Sequence, residues 1–332
     1  MATLGSSMFD LIDLYKSKNP DGSIATVIEM LTEMNPILDD AIAIECNSGT
    51  KHLHTIRTGL PAVTWGKLYQ GIPQGKSTKA QVEDTTGFVE GLSTVDERLL
   101  ALSDNEGAVR LSEAQSYLEA MNQEVATKIF YGNTANDPEE FMGLAPRYND
   151  TAAANGGNII LAGGAGSDNT SIWFVTWGDN QTQLLYPKGT QAGVVREDKG
   201  SQRLTDGNGN AYYGKEELFR WNIGLAVKDW RYNVRVANID VSLVAAGSVP
   251  LYDYMRKAYW KLQSRRVAGG KQAIYCNRDI MESLDALSSN AGASDSFIRL
   301  SPMEIQGKEV LTYRGIPIRE TDALINAEAL VA

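Results

Sequence analysis

Cysteine and histidine are the scarcest chemically reactive residues of this chain. Its 332 residues include only two cysteines, Cys46 and Cys276, and two histidines, His52 and His54. The cysteines lie far apart and outside any metal-ligand spacing, which favours two reduced thiols in a cytosolic protein over a disulfide or a zinc site. So few histidines leave little room for histidine-based acid–base catalysis.

The histidine pair is the one feature that resembles half of a metal site. On a strand, His52 and His54 would share one face. Glu45 and Cys46 lie a few residues upstream, but no third ligand has convincing spacing. The sequence therefore favours a solvated pair of polar positions over a bound metal ion.

Long apolar runs and an excess of positive charge are also missing. No run approaches the ~20 apolar residues that a membrane span needs, and the start of the chain lacks the basic and then apolar order of a signal peptide. With 31 Lys+Arg against 41 Asp+Glu, the formal net charge is −10. That balance argues against a dedicated nucleic-acid binder, although it allows a protein that lies close to DNA without gripping it.

The chain has enough apolar residues, at 43%, to build a core. Apolar spacings of three and four predict a helix at 24–34 and a weaker one at 8–15. The strongest helical pattern covers 113–131, with a capping box that begins at Ser112 and a glycine cap at Gly132.

Residues 55–93 predict a long β-hairpin. Two strand-like arms flank a tip rich in glycine and proline at 71–75. The arms are too polar to fill a core and too rich in aromatic residues for a loop without a binding role. A projecting hairpin of this kind usually pairs with a partner molecule. The candidate contact residues are Arg57, Trp65, Lys67, Tyr69, Lys76 and Lys79.

The second half of the chain mixes separated helices and strands. Residues 151–166 read as a loop, and helices are predicted at 251–266 and, capped by Asn277, up to residue 287. This order indicates an α+β fold and not a doubly wound sheet. Strands are predicted at 171–177, 183–186, 219–240, 272–276, 309–313 and 316–320, with a further hairpin around 205–215.

Two segments look like ligand-binding motifs but depart from them. Residues 70–77 resemble a phosphate-binding loop, yet Gln70 stands where the motif needs glycine and Pro73 removes an amide. Residues 206–217 place oxygen ligands at calcium-loop spacing, yet Ala211 stands where the sharp turn needs glycine. A hairpin tip and a β-turn explain these segments better.

The order of features resembles a known family. Residues 130–144 contain Phe-Tyr-Gly-Asn and then Pro-Glu-Glu-Phe-Met-Gly-Leu, residues 273–279 read Ala-Ile-Tyr-Cys-Asn-Arg-Asp, and residues 313–318 read Tyr-Arg-Gly-Ile-Pro-Ile. After an arm, a polar hairpin and a capped helix, these segments look like the major capsid proteins of tailed double-stranded DNA bacteriophages. The likeness covers nearly the whole chain and is greatest to short-tailed phages.

The resemblance implies a division of the chain into an arm, a loop and two domains. The long helix would be the spine helix of the peripheral domain, and the axial domain would lie at capsomer centres. The implied segments are an N-terminal arm at 1–54, an extended loop at 55–93, a peripheral domain at 94–150 and 167–250 with the spine helix at 113–131, and an axial domain at 251–332.

The resemblance also implies a function. The chain would self-assemble into hexamers and pentamers of an icosahedral phage head around packaged double-stranded DNA, which it would meet by proximity only. Assembly in the host bacterial cytoplasm, with portal, scaffold and cement or decoration proteins as partners, is implied as well. No cofactor, membrane or enzymatic activity is expected. The alternatives are the shell of a cellular nanocompartment with the same fold, and an enzyme acting on a nucleotide or a sugar.

The chain order departs from the family pattern at one point. In the family, the asparagine-capped axial helix and the Gly-Ile-Pro-like strand precede the long peripheral strands. Here the strands at 221–240 come first, and Asn277 and 315–317 come last. Misaligned strand blocks would explain this, but we favour permuted segments, since folds tolerate rewired connections at the surface. Permutation predicts that residues 272–320 lie remote from the spine helix.

Overall fold

The structure is a computed structural model that describes residues 33–103, 105–265, 267, 269–289, 300–305 and 308–332. The helix expected at 8–15 and nearly all of the one expected at 24–34 lie outside these residues. None of the described helices is long and apolar enough to span a membrane.

The described chain contains seven α-helices and two short 3₁₀ turns, at Gly156–Asn158 and Trp230–Tyr232. The longest helix by far is α3, which covers the whole of the 113–131 prediction and extends it towards the N terminus. The helices are α1 (Ile37–Asp40), α2 (Glu97–Ala101), α3 (Glu106–Tyr131), α4 (Leu144–Arg147), α5 (Val241–Ala245), α6 (Leu251–Lys261) and α7 (Arg278–Ser289).

Thirteen strands of the described chain join in one hydrogen-bonded network. They are β1 (Ala43–Glu45), β2 (Lys51–Gly59), β3 (Thr78–Asp96), β4 (Ile159–Leu161), β5 (Asn169–Trp177), β6 (Thr182–Tyr186), β7 (Val194–Thr205), β8 (Ala211–Val227), β9 (Val234–Asp240), β10 (Lys271–Cys276), β11 (Ser301–Ile305), β12 (Lys308–Tyr313) and β13 (Ile316–Glu320). The main path runs β11-β12-β13-β10-β5-β6-β8-β3-β2; β1 joins β6, β7 joins β8, β9 joins β5, and β4 joins β9. The mixture of helices with antiparallel and parallel pairs confirms the α+β class.

The sheet separates two cores because successive side chains of a strand point to opposite faces. In β5, Trp173 and Val175 pack in the core that holds the end of α3. Ile172 and Phe174 pack in the other core, against α6 and α7. The same alternation recurs in β10, where Tyr275 joins the α3 core and Ile274 joins the α6 and α7 core.

Helix α3 begins earlier than the periodicity predicts. Its N-cap is Asn105, whose side-chain oxygen accepts a hydrogen bond from the Ala108 amide at 3.2 Å, so Ser112 lies inside the helix. The helix ends at Gly132 as expected, but the reason differs: this glycine has φ −50°, outside the left-handed region. A Cβ there would lie 2.5 Å from the Phe141 carbonyl oxygen, so the close approach of the returning chain requires glycine.

Two further predictions need correction. The expected loop at 151–166 contains a 3₁₀ turn and β4, which pairs in parallel with β9. The helix expected at 251–266 ends at Lys261, because Leu262 adopts an extended conformation and its amide caps the helix on the Ala258 carbonyl. The Asn277 cap is confirmed: its side-chain oxygen accepts a hydrogen bond from the Ile280 amide at 3.0 Å.

The expected remoteness of residues 272–320 from the long helix is wrong. Strand β10 lies between β5 and β13 in the middle of the sheet. The Tyr275 ring contacts the ring of Phe130, near the end of α3, with centroids 6.1 Å apart. The hypothesis of permuted segments required that separation and therefore fails, although residues 219–240 do lie in the sheet, as part of β8 and as β9.

The last residues of the chain, 321–332, pack along the α3 core without regular structure. Leu324 and Val331 are buried there. Glu328 forms a buried ion pair with Arg235 of β9, with 2.8 Å between carboxylate and guanidinium, and also accepts hydrogen bonds from the hydroxyls of Tyr131 and Ser171. This segment therefore ties the end of α3 to the centre of the sheet.

Candidate functional site

The hairpin predicted around residues 55–93 is present and projects from the sheet. Strands β2 and β3 pair from Lys51–Thr85 to Gly59–Thr78, and from Thr86 onwards β3 pairs instead with β8. Residues 51–85 are called the hairpin arm below. Because β3 is one strand of 19 residues, the arm is a direct extension of the core sheet.

The apex of the hairpin arm is a long connection between β2 and β3, at residues 60–77. It is much longer than the expected tip at 71–75, and nearly all of its residues are exposed. The apex carries a set of large apolar side chains with almost no cover, at 80% or more exposure: Leu60, Val63, Trp65, Leu68, Tyr69 and Ile72.

The candidate contact residues fall into two groups. Trp65, Lys67, Tyr69 and Lys76 lie in the apex, and not on strands as the sequence suggested. Arg57 of β2 and Lys79 of β3 lie directly opposite each other across the arm, and both are exposed. Like charges placed opposite each other on paired strands destabilise the pair, so this end of the arm favours an anionic neighbour.

The hairpin arm also lies in a cationic stretch of an acidic chain. Residues 46–82 contain five lysines and arginines and no aspartate or glutamate. Of these cations, Lys51 pairs with Glu83 at the base of the arm. Within the described residues, Arg57, Lys67, Lys76 and Lys79 form no ion pair.

Both histidines lie at the base of the hairpin arm, and the expectation of a solvated pair is wrong. His52 is buried, and only 11% of the His54 side chain is exposed. His54 Nδ1 lies 3.8 Å from Asp84 Oδ2, and Arg147 of α4 donates a hydrogen bond of 2.8 Å to the other oxygen of Asp84. The imidazoles face inwards because the base of the arm packs against the body of the subunit.

Burial lowers the pKa of both imidazoles below the usual 6.5. The ammonium of Lys228 lowers the pKa of both further, whereas the Asp84 carboxylate opposes the shift. Neither nitrogen of His54 has a hydrogen-bond partner among the described residues. The pair is therefore held neutral at pH 7.

Among the described residues, no group of three histidine, cysteine or acidic side chains is arranged to hold a metal ion. The two cysteines are buried, and burial raises the pKa of the Cys46 thiol to about 11 and that of Cys276 to about 12. Neither thiol is placed to act as a nucleophile at neutral pH.

Sequence reasoning missed part of the apex. Leu60, Val63, Leu68 and Ile72 share the exposure of Trp65 but were not among the candidates. Their signal was present in the sequence: four large apolar residues are interspersed with Gly and Pro without the alternation that buries one face of a strand.

Comparisons with known proteins agree with this geometry. The sequence model of the family described as Major capsid protein GP7 matches residues 19–332. The structure of bacteriophage Epsilon15 is similar at 36% identity and a TM-score of 0.78, over 100% of both chains. The bacteriophage JBD30 capsid, at 9% identity and a TM-score of 0.52 over 90% of this chain and 95% of that chain, shares the fold.

An encapsulin complex from Synechococcus elongatus has a TM-score of 0.45, at 11% identity over 70% of this chain and 96% of that chain. No match was found among curated proteins. The match over nearly the whole chain confirms the resemblance: the chain belongs to the Major capsid protein GP7 family and is a major capsid protein of a phage, a structural subunit of the virion shell.

Proposed function

We propose that the hairpin arm links each subunit to a neighbouring copy within the hexamers and pentamers of an icosahedral head that encloses double-stranded DNA. The observation that carries this proposal is the apex, where six large apolar side chains are exposed together. Burial of one such side chain contributes about 1.5–3 kcal/mol. In the isolated subunit these six side chains are exposed to water. Their burial against a surface of another molecule therefore stabilises the contact between the two molecules.

The acidic surface of a second copy of this chain is complementary in charge to the lysines of the apex. Outside the cationic stretch 46–82 the chain is strongly acidic, and the surface around α3 combines acidic and apolar residues. Leu111 and Leu118 are exposed on α3 at 53% and 40%. Glu124 of α3 and Glu139 of the following loop are exposed on the same chain. We propose this α3 surface as the acceptor for Arg57, Trp65, Lys67, Tyr69, Lys76 and Lys79 of a neighbour.

The division into an N-terminal arm (1–54), an extended loop (55–93), a peripheral domain (94–150 and 167–250) and an axial domain (251–332) remains our proposal for the assembled head. Helices α6 and α7 and strand β13 of the proposed axial domain pack together in the second core, which they share with β5 and β9. The contact of Tyr275 with Phe130 joins the two domains in one subunit.

We further propose that assembly takes place in the host bacterial cytoplasm, with portal, scaffold and cement or decoration proteins as partners. The subunit acts by shape and contact alone, without cofactor or catalysis. Membership of a family of structural proteins supports this part of the proposal.

The test is to shorten the apex. The backbones of Ala62 and Gly75 already lie side by side, since a Cβ on Gly75 would be 3.2 Å from the Ala62 carbonyl oxygen. Residues 63–74 can therefore be replaced by Asn-Gly, which favours a tight hairpin turn. We expect the variant subunit to unfold cooperatively with an unchanged denaturation midpoint, but negative-stain micrographs should show no closed shells.

A pair of single variants provides the matched control. Trp65→Ser removes an apolar side chain from the apex, whereas Tyr213→Ser removes one that is 57% exposed outside the arm. The first should impair shell formation and the second should not. Normal shells from the shortened variant, or equal impairment by both substitutions, would contradict the proposed role of the arm.

A further inference from the structure

Helix α6 carries a second cationic region, distinct from the hairpin arm. Residues 254–278 contain seven lysines and arginines and no aspartate or glutamate, in a chain of net charge −10. On the helix, Lys257 and Lys261 are one turn apart, about 6 Å along the axis, and so lie on one face with Trp260. All three side chains are exposed.

Two guanidinium groups converge on the exposed ring of Trp260. The Cζ atom of Arg265 lies 4.6 Å from the ring centroid, and that of Arg314, in the turn between β12 and β13, lies 6.0 Å from it. Arg314 also lies over the Tyr259 ring at 5.2 Å. Its φ of 51° is in the left-handed region, an uncommon conformation for arginine. The aromatic rings thus hold two like charges close together.

The one acidic residue of α6, Asp253, pairs with Arg256 and not with these cations. Within the described residues, Lys257, Lys261, Arg265 and Arg314 form no ion pair. The Lys261 ammonium donates a hydrogen bond to the Gly157 carbonyl, in a segment, 151–167, that contains no charged residue. Tyr254, Lys257, Trp260, Lys261, Arg265 and Arg314 are called the α6 cationic face below.

The two exposed lysines of this face distinguish it from the core of a protein-binding surface. The cores of protein interfaces are enriched in aromatic residues and arginine but depleted in lysine. The α6 cationic face combines Lys257 and Lys261 with two arginines. Arginine and lysine in this arrangement match the phosphates of a nucleic-acid backbone, which carry a regular array of negative charge.

We propose that the α6 cationic face contacts the phosphate backbone of the packaged double-stranded DNA and therefore faces the interior of the shell. This inference rests on the proposed function, because it needs a closed head with DNA inside. We propose a contact that is independent of base sequence, since contacts of lysine and arginine with phosphates carry no sequence information.

The first test measures binding of unassembled subunits to a fluorescein-labelled DNA duplex of arbitrary sequence over a series of NaCl concentrations. The variant combines Lys257→Gln, Lys261→Gln and Arg314→Asn, because asparagine tolerates left-handed backbone. Each phosphate contact contributes about 0.9 to the slope of log K against log salt. The triple variant should therefore bind more weakly, with a slope smaller by up to about 2.7.

The matched control neutralises three exposed cations elsewhere, with Lys188→Gln, Lys199→Gln and Arg203→Gln. It should keep the slope of the unmodified protein. Equal slopes in the two triple variants, or no duplex binding by the unmodified protein, would overturn the proposal. A variant of the α6 cationic face that binds the duplex normally but forms no shells would identify the face as a protein interface instead.

The second test locates the face in the shell. The native thiols are buried, so a Lys257→Cys variant offers one reactive site to a maleimide attached to a large polymer. We expect rapid labelling of dissociated subunits and none in closed shells. Labelling of closed shells would place the face outside and overturn the inference, while the proposed function would stand. Absence of shells from the unmodified protein would instead remove the proposed function.

Discussion

Among single residues, Glu328 connects three elements: the end of α3, β5 and β9. Its carboxylate pairs with Arg235 in a site where both side chains are less than 5% exposed. Replacing one partner of such a pair leaves the other charge buried without compensation. Glu328→Gln should therefore lower the free energy of unfolding by about 3 kcal/mol, measured by urea denaturation of unassembled subunits.

The matched control for this prediction is an exposed ion pair. Arg278 pairs with Glu320 at 2.9 Å, but its side chain is 69% exposed, and such pairs add little to stability because water solvates both charges. Arg278→Gln should leave the denaturation midpoint unchanged. If Glu328→Gln lowered the free energy of unfolding no more than Arg278→Gln, the buried ion pair of the carboxyl-terminal segment would not stabilise the subunit as proposed.

The two histidines predict how stability depends on pH. Because burial lowers the pKa of His52 and His54 in the folded subunit, the unfolded chain binds protons more readily below about pH 6.5. The free energy of unfolding should therefore be highest above pH 6.5 and fall as the pH decreases towards the lowered values. Combined His52→Gln and His54→Gln should flatten this part of the pH profile. An unchanged profile in urea denaturation between pH 5 and 7 would show that the imidazoles are not held neutral.

At the scale of elements, the sequence predicted the structures that depend on residues close together in the chain. The helix of α3, the Asn277 cap and the turn at Gly315 could be predicted for this reason. The first turns of α3 were missed because Gly107 and Ser112 resemble a boundary, whereas burial of Val109 against α2 and β3 extends the helix. The pairing of β10 with β5 was not readable, because its register joins residues about a hundred positions apart.

The junction between α3 and α4 depends on a close backbone approach. A Cβ on Gly143 would lie 2.7 Å from the Lys128 carbonyl oxygen and 2.9 Å from the Gly132 nitrogen, and backbone atoms there have little freedom to move. Gly143→Ala should destabilise the subunit by about 1–3 kcal/mol, as overpacked sites do. Gly107→Ala is the matched control, because its nearest contact would be 3.6 Å. In a helix this change should stabilise by up to about 1 kcal/mol, and thermal denaturation should separate the two variants.

At the scale of the whole molecule, charge is divided unevenly. The stretch 46–82 carries five of the 31 basic residues and none of the 41 acidic ones, so the remainder has a formal charge of 26 − 41 = −15. A cationic arm on an acidic body attracts the body of another copy, while the bodies repel one another. Assembly therefore depends on the balance between one local attraction and a general repulsion.

This balance predicts the effect of salt on assembly. Screening shortens the range of charge interactions from about 10 Å at 0.1 M salt to about 3 Å at 1 M. If attraction between the arm and its neighbour dominates, light scattering should show slower assembly as NaCl is raised. Combined Lys67→Gln, Lys76→Gln and Lys79→Gln should slow assembly at low salt and remove most of this dependence, whereas Lys188→Gln, Lys199→Gln and Arg203→Gln should not. Assembly that accelerates with salt in all three proteins would mean that repulsion between the acidic bodies dominates and that the arm binds through its apolar apex alone.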